Sequence, residues 1–198
     1  MSRALLVLVT LLLSCEVQAQ VSGSLALVSD YRYRGVSLSD GLPSAQASLA
    51  YDRADGWYAG GFSATARMGR RQRADLQWLG YAGYAGQLGP RLDWEAGAQY
   101  TRYLDHGYGY PEFYLGLASE HGGARLYYAH DYFGSRLPIA YLDLNASHAW
   151  TDRCYLFGHL GALRRLGSPP AAVRQSQPNR LDLRLGLGIN LGPVQWQL

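Results

Sequence analysis

Two pairs in this sequence join an imidazole to a carboxylate: Asp105-His106 and His130-Asp131, with Ser135 close to the second. A histidine held by a carboxylate can act as a base near neutral pH, and a nearby hydroxyl would complete a hydrolytic site. Nothing in the spacing fixes these groups together, and the plainer reading is exposed polar loop residues. The five histidines, His106, His121, His130, His148 and His159, show no ligand-like spacing. The sequence thus leads us to expect no catalytic residues, no metal, no cofactor and no enzymatic activity. A second set is more informative because it alternates with apolar residues. Asp30, Arg32, Arg34, Asp93, Glu95, Glu112, Asp143 and Arg184 would line one side of a wall of strands. Arg32 and Arg34 opposite Asp93, Glu95 and Glu112 would set up a transverse field that selects small polar or charged solutes. The competing expectation is a salt-bridged plug, since narrow barrels fill their interior with side chains.

The elements that must position these residues are strands. Residues 21–34 alternate Leu25, Leu27, Tyr31 and Tyr33 against Ser24, Asp30, Arg32 and Arg34. This is the period of two expected of a half-exposed strand, followed by a loop at 35–43. Ala45, Ala47, Leu49 and Tyr51 oppose Gln46 and Ser48, and Asp55-Gly56 turns the chain into residues 57–66. Later segments repeat the pattern. Leu92, Trp94, Ala96, Ala98 and Tyr100 oppose Asp93, Glu95, Gln99 and Thr101. Leu181, Leu183, Leu185, Leu187 and Ile189 oppose Asp182, Arg184 and Asn190. Which side of 57–66 and 124–132 is apolar is not legible from the alternation.

Alternation alone also fits a soluble sandwich. Two features favour an antiparallel up-and-down transmembrane β-barrel of about 10–12 strands. Tyr31, Tyr51, Trp57, Tyr100, Tyr103 and Trp150 recur at segment ends, where interfacial girdles sit. Connections alternate between short turns and longer loops, the latter at 34–43, 67–73, 103–110, 132–138 and 164–180. This is the asymmetry of periplasmic turns and extracellular loops. No stretch after the N-terminal leader is apolar for the ~18 residues a membrane helix needs.

The leader itself reads as a cleaved signal peptide, residues 1–19: Arg3, then an apolar run from Ala4 to Leu13, then Val17-Gln18-Ala19. Leu12-Leu13-Ser14-Cys15 offers a lipidation alternative at Cys15. Cleavage after Ala19 would leave Cys154 as the single cysteine and a barrel domain at 20–198. All 18 basic residues are arginine, the net charge is +3, and Gly (24) and Tyr (16) are abundant. This composition suits strands and girdles and argues against a nucleic-acid partner. The expected location is the bacterial outer membrane. The expected partners are its lipid and lipopolysaccharide, the barrel-assembly machinery and small solutes.

The block Val28-Ser29-Asp30-Tyr31-Arg32-Tyr33-Arg34-Gly35-Val36-Ser37, with Pro43 and Gly56-Trp57-Tyr58-Ala59-Gly60 after it, resembles the opening of the Gcw_chp family. These are proteobacterial outer-membrane proteins also labelled TorF-family porins. Gly80-Tyr81-Ala82-Gly83-Tyr84, Pro111-Glu112-Phe113-Tyr114-Leu115-Gly116 and Tyr141-Leu142-Asp143-Leu144-Asn145-Ala146-Ser147 are similar to later blocks of that family. The resemblance implies a barrel of about twelve strands and porin function, and it brings no catalytic residues. Members usually complete a last hairpin on an aromatic residue, whereas here Val194, Trp196 and Leu198 only begin one. The expectation is therefore ten full strands and the opening of an eleventh, with either a shortened last hairpin, the favoured reading, or closure with ten strands and residues 194–198 as a tail. On this reading the function is passive diffusion of small polar or charged solutes. The alternatives are a non-conducting structural or adhesive barrel and a hydrolase with a rim His/Asp site.

Overall fold

The computed structural model describes residues 19–68, 73–135, 137–167 and 179–198. The segment up to residue 18 expected as a signal peptide, Cys15 within it, and most of the loops expected at 67–73 and 164–180 lie outside these residues. Within them the chain is all-β. The wall consists of β1 (Ala19–Val28), β4 (Ser44–Arg53), β5 (Trp57–Met68), β6 (Arg73–Gly89), β7 (Leu92–Tyr103) and β8 (Gly109–Ser119). It continues through β9 (Gly122–Ala129), β10 (Ile139–Ala149), β11 (Cys154–Arg165), β12 (Arg180–Leu191) and β13 (Val194–Gln197). These form one antiparallel sheet in chain order, the up-and-down arrangement that hairpin connections impose. Two short strands, β2 (Arg32–Tyr33) and β3 (Val36–Ser37), form a separate hairpin between β1 and β4. Among the described residues the sheet does not join its edges: β1 stands at one end of the order and β13 at the other.

The wall strands from β1 to β12 have two chemically distinct faces, and the register carries them round the sheet, with one irregularity between Gln87 and Gly89 of β6 opposite β7. Leu25, Leu49, Trp78, Leu115, Leu126, Leu160 and Leu183 are exposed on the outer face. Thr101, Glu112, Tyr114, Tyr127, Ala129 and Tyr141 are buried on the inner one. A one-residue shift would exchange the faces, so the leucines of β12 alone fix its orientation. The two strands whose faces the alternation left open are now assigned. Ala64 and Ala66 of β5 and Tyr127 and Ala129 of β9 are buried, while Leu126 and Tyr128 are exposed.

Short connections gather at one end of the wall, at residues 54–56, 90–91, 120–121, 150–153 and 192–193. At the other end the connections at 29–43, 104–108, 130–138 and 166–179 are longer, while the one between β5 and β6 spans four residues, as 150–153 does. This is the alternation the sequence suggests.

The first segment is where the structure corrects the sequence reading. The strand expected over 21–34 stops at Val28, and residues 29–43 fold back into the curled sheet. Arg34 and Gly35 both have positive φ, 49° and 76°, and make the tight reversal between β2 and β3. Tyr31 and Tyr103, expected in the interfacial girdle, are instead buried in the interior at 8% and 0% exposure. Tyr51, Trp57, Tyr100 and Trp150 do lie exposed at strand ends.

The inner face is crowded with tyrosine, and glycines in neighbouring strands make the room. At Gly97 a Cβ would run into the Tyr114 hydroxyl and the Ala82 carbonyl, so the Tyr114 ring lies flat against bare backbone. That hydroxyl bonds Tyr58 at 2.9 Å. Gly97→Val should therefore displace Tyr114 and destabilise the fold by about 1–3 kcal/mol, the usual cost of overpacking. Thermal unfolding of refolded protein in detergent checks this, and Ala98→Val on the outer face should change the midpoint little.

Candidate functional site

The inward hairpin is held at its base by a carboxylate. Asp30 accepts hydrogen bonds from Ser37 Oγ, from Ser39 Oγ at 3.2 Å and from Arg32 Nη1 at 2.9 Å. The Ser37 hydroxyl chiefly, with Arg32 and Ser39, holds this carboxyl below the usual carboxylate range. Ser39 Oγ also accepts from Tyr31 N–H at 2.8 Å, and Leu38 N–H donates to Tyr31 C=O at 2.7 Å. Arg67 N–H of β5 donates to Leu38 C=O at 2.7 Å, tying the hairpin to the wall. Leu38 and Ser39 are buried.

From this base the hairpin delivers Arg34 to the inner face, near the long-loop end of β8 and β10. Its guanidinium forms a bidentate pair with Glu112 of β8, Nη1 to Oε1 at 2.7 Å and Nη2 to Oε2 at 3.2 Å. Glu112 is fully buried and the Arg34 side chain 3% exposed. Glu112 Oε2 also accepts from Tyr33 Oη at 3.2 Å and Gln99 Nε2 at 2.6 Å. Four tyrosine rings surround the cation. Its carbon lies 4.5 Å from the centroid of Tyr141, 4.8 Å from Tyr33, 4.9 Å from Tyr127 and 5.4 Å from Tyr132. Burying a guanidinium costs several kcal/mol, which a carboxylate alone need not offset. Here the fork geometry, the two extra donors on Glu112 and the ring faces together offset it.

Two further polar groups line the interior. Glu95 of β7 accepts from Arg125 Nε at 2.7 Å and Tyr58 Oη at 2.8 Å, while Arg125 lies 5.0 Å over Tyr114. On β10 to β12, His159 Nε2 meets Asp182 Oδ1 at 2.7 Å, and its Nδ1 lies 3.0 Å from Asn145 Oδ1 and 3.2 Å from Asp143 Oδ1. Tyr141 Oη donates to Asp182 at 3.4 Å.

The sequence-derived lining residues therefore divide. Arg34 and Glu112 meet, as do Glu95 and Arg125. Arg32 turns back to Asp30 and is largely exposed. Asp93 is exposed beside the 90–91 turn. Arg184 is exposed, bonding Gln197 at 2.7 Å and lying over Phe157. Of the three charges expected on the first strand, only Arg34 reaches the interior, and it does so by way of the hairpin, not along a strand face as the alternation suggested. Sequence reasoning missed the tyrosine cage, because Tyr127, Tyr132 and Tyr141 come together only through tertiary structure.

At the long-loop end, His106 Nδ1 lies 2.6 Å from Oδ2 of Asp75, while Asp105 N–H donates to Oδ1 of the same carboxylate at 2.9 Å. Asp75, not the sequence neighbour Asp105, is thus the histidine's partner. Ser135 Oγ donates to Tyr132 C=O at 2.6 Å. Among the described residues no hydroxyl nucleophile hydrogen-bonds His106, and no cluster of three or more His, Cys, Asp or Glu is arranged to hold a metal ion.

Removing one partner of the buried pair leaves the other charge unpaired. Glu112→Ala should destabilise the fold by about 3–5 kcal/mol, and Arg32→Ala, an exposed pair, by less than about 1 kcal/mol. Urea unfolding of the two variants in detergent separates them. Equal, small losses would overturn the assignment of Glu112 as the anchor.

The sequence profile of a family described as a bacterial protein of unknown function, Gcw_chp, matches residues 15–194. No curated protein and no solved structure matches the chain. The matched span takes in the anchored hairpin, Glu112 and the three wall and turn tyrosines of the cage, and the chain belongs to the Gcw_chp family.

Proposed function

We propose that this is a bacterial outer-membrane β-barrel, exported through a cleaved signal peptide, that passes small polar or charged solutes by passive diffusion. The observation that carries the membrane reading is the outer face. Leu25 is 88% exposed, Leu183 69% and Leu115 60%, and like residues continue from β1 to β12. A water-soluble monomer rarely shows an apolar surface of such extent, whereas a barrel in lipid requires it. Between paired strands the backbone bonds internally, as a membrane demands, with the open edges at β1 and β12–β13 as the exception. In this setting lipid and lipopolysaccharide would surround the wall, and the barrel-assembly machinery would insert it. No catalytic step is part of the proposal.

The inward hairpin qualifies the porin reading. A route for solute runs past Arg34 and Glu112, so the resting barrel is constricted and passage requires the hairpin tip to move. The polar interior supports passage: Glu95, Arg125, Asp143, His159 and Asp182 offer charged groups to a hydrated solute. The non-conducting structural barrel is the second reading, favoured by the completeness with which the pair and cage fill the interior.

Planar-bilayer recording distinguishes the two. Wild type should show small, infrequent openings, and Glu112→Gln, which loosens the tip, should raise open probability by about tenfold, corresponding to ~1.4 kcal/mol. Silence from both inserted proteins would favour the structural reading. The membrane reading has its own check in Leu115→Arg at mid-strand in β8. It should cost about 2–4 kcal/mol of folding into vesicles, read by urea titration, and an unaffected variant would sink it.

A further inference from the structure

Arg34 occupies a site most of which belongs to the wall. Glu112 is on β8, Gln99 on β7, Tyr127 on β9 and Tyr141 on β10, and Tyr132 lies in the connection between those last two strands. Only Tyr33 travels with the hairpin. Withdrawing the tip would therefore leave a carboxylate, an amide donor and three ring faces on the wall strands and that connection. Such a set recognises a cation by charge and by ring face, and a planar cation with a two-pronged N–H edge best of all. The tip shows independently that Arg34 is delivered at a cost. It is a non-glycine residue at φ 49°, a conformation that surrounding structure must hold in place. Gly35 beside it leaves no room for a side chain, because a Cβ there would lie 2.9 Å from Arg180 Cδ and Asp182 Cβ.

We propose that the Arg34 guanidinium is a tethered occupant of a binding site for small guanidinium-type organic cations, and that these are the solutes the barrel favours when the hairpin tip withdraws. The second half rests on the diffusion reading above; the existence of the site does not. Two further carboxylates along the interior fit a cation in transit: Asp143 and Asp182 flank His159 on β10 to β12, whereas Glu95 on β7 is already paired with Arg125. A released cation would thus meet further carboxylates. Lysine-like ammonium ions lack the planar fork that matches the two oxygens of Glu112, so they should bind more weakly.

The test uses full-length protein refolded in detergent micelles, with ethylguanidinium, ethylammonium or urea as probe and the thermal midpoint as readout. Arg34→Ala empties the cage. Ethylguanidinium at about ten times its Kd should raise the midpoint of this variant by about 4 °C. Wild type, whose cage is filled, should not move. Ethylammonium should give less than half that shift and urea none. Glu112→Gln added to Arg34→Ala should abolish the shift. An Arg34→Ala protein that folds but does not respond overturns the proposal. So does an equal response in wild type, to ethylammonium, or in the double variant. If Arg34→Ala fails to fold, folding restored by ethylguanidinium alone supports the site, and Arg34→Lys serves as the second variant, with a smaller shift expected. Failure of both to fold even with ethylguanidinium overturns it. Micelle melting requires no conduction, so a silent channel with a responsive cage would refute the diffusion reading alone.

Discussion

A guanidinium and a carboxylate buried together against the inner face of a β-wall set the terms for the rest of this molecule. Neither group can be left there without the other, since an unpaired charge in the interior is worth several kcal/mol of instability. The pair also cannot form unless residues 29–43 fold inward, because Arg34 leaves the sheet after β1 and Glu112 sits on β8. The Asp30 cluster at the hairpin base, the Ser39 and Leu38 bonds and the strained reversal at Arg34 all serve that delivery. The tyrosines are then the natural interior lining. Each offers a ring face to a cation and a hydroxyl to a carboxylate, as Tyr33 does for Arg34 and Glu112 at once. Phenylalanine would supply the first and not the second.

The same economy shapes the wall. A curled sheet of this strand number leaves little room on its inner face, and rings standing upright there would fill it. Bare backbone at Gly97 lets the Tyr114 ring lie along the wall and bond Tyr58, which keeps the polar hydroxyls facing one another across the interior. Not every polar group finds a protein partner. Among the described residues the hydroxyls of Thr101, Tyr103 and Tyr110 are buried without one, and buried hydroxyls of that kind are places where water or a polar solute is welcome.

The wall was legible in the sequence because its signal is local. Leu181 to Ile189 alternate with polar residues and glycine, and period-two patterning determines which side faces out regardless of what the neighbouring strands do. The ends of the strands were legible where turns announced themselves, as at Asp55-Gly56. The hairpin was not. Tyr31, Arg32, Tyr33 and Arg34 alternate as a strand would, and β2 and β3 are indeed extended. What redirects them is the pair of positive φ angles at Arg34 and Gly35, and only the glycine advertises this. Arg34 adopts its conformation because Glu112 and the cage hold it there, a tertiary cause with no local trace. The pairing of Arg34 with Glu112 was among the several the charge pattern allowed. The cage was not, since tyrosines 127, 132 and 141 are indistinguishable in sequence from those of an interfacial girdle. His106 illustrates the opposite error: adjacency suggested Asp105, and the register of β6 supplies Asp75 instead.

The hairpin has one more consequence for the wall. β1 pairs only with β4, and β13 pairs with β12 only over residues 188–191. The long-loop half of β12 therefore has no strand on that side among the described residues. Unpaired backbone is costly in lipid, and an open edge also invites foreign strands. The hairpin leans across this gap from the β1 side: Arg180 Nη1 donates to Arg34 C=O at 3.2 Å, and Gly35 packs on Arg180 and Asp182. The residue that fills the interior is thus also the residue whose backbone links the two ends of the sheet. Moving the tip breaks both contacts in one step. Opening the interior and loosening the seam are consequently one transition rather than two, and its free energy must include the loss of the Arg180 contact as well as the loss of the cage.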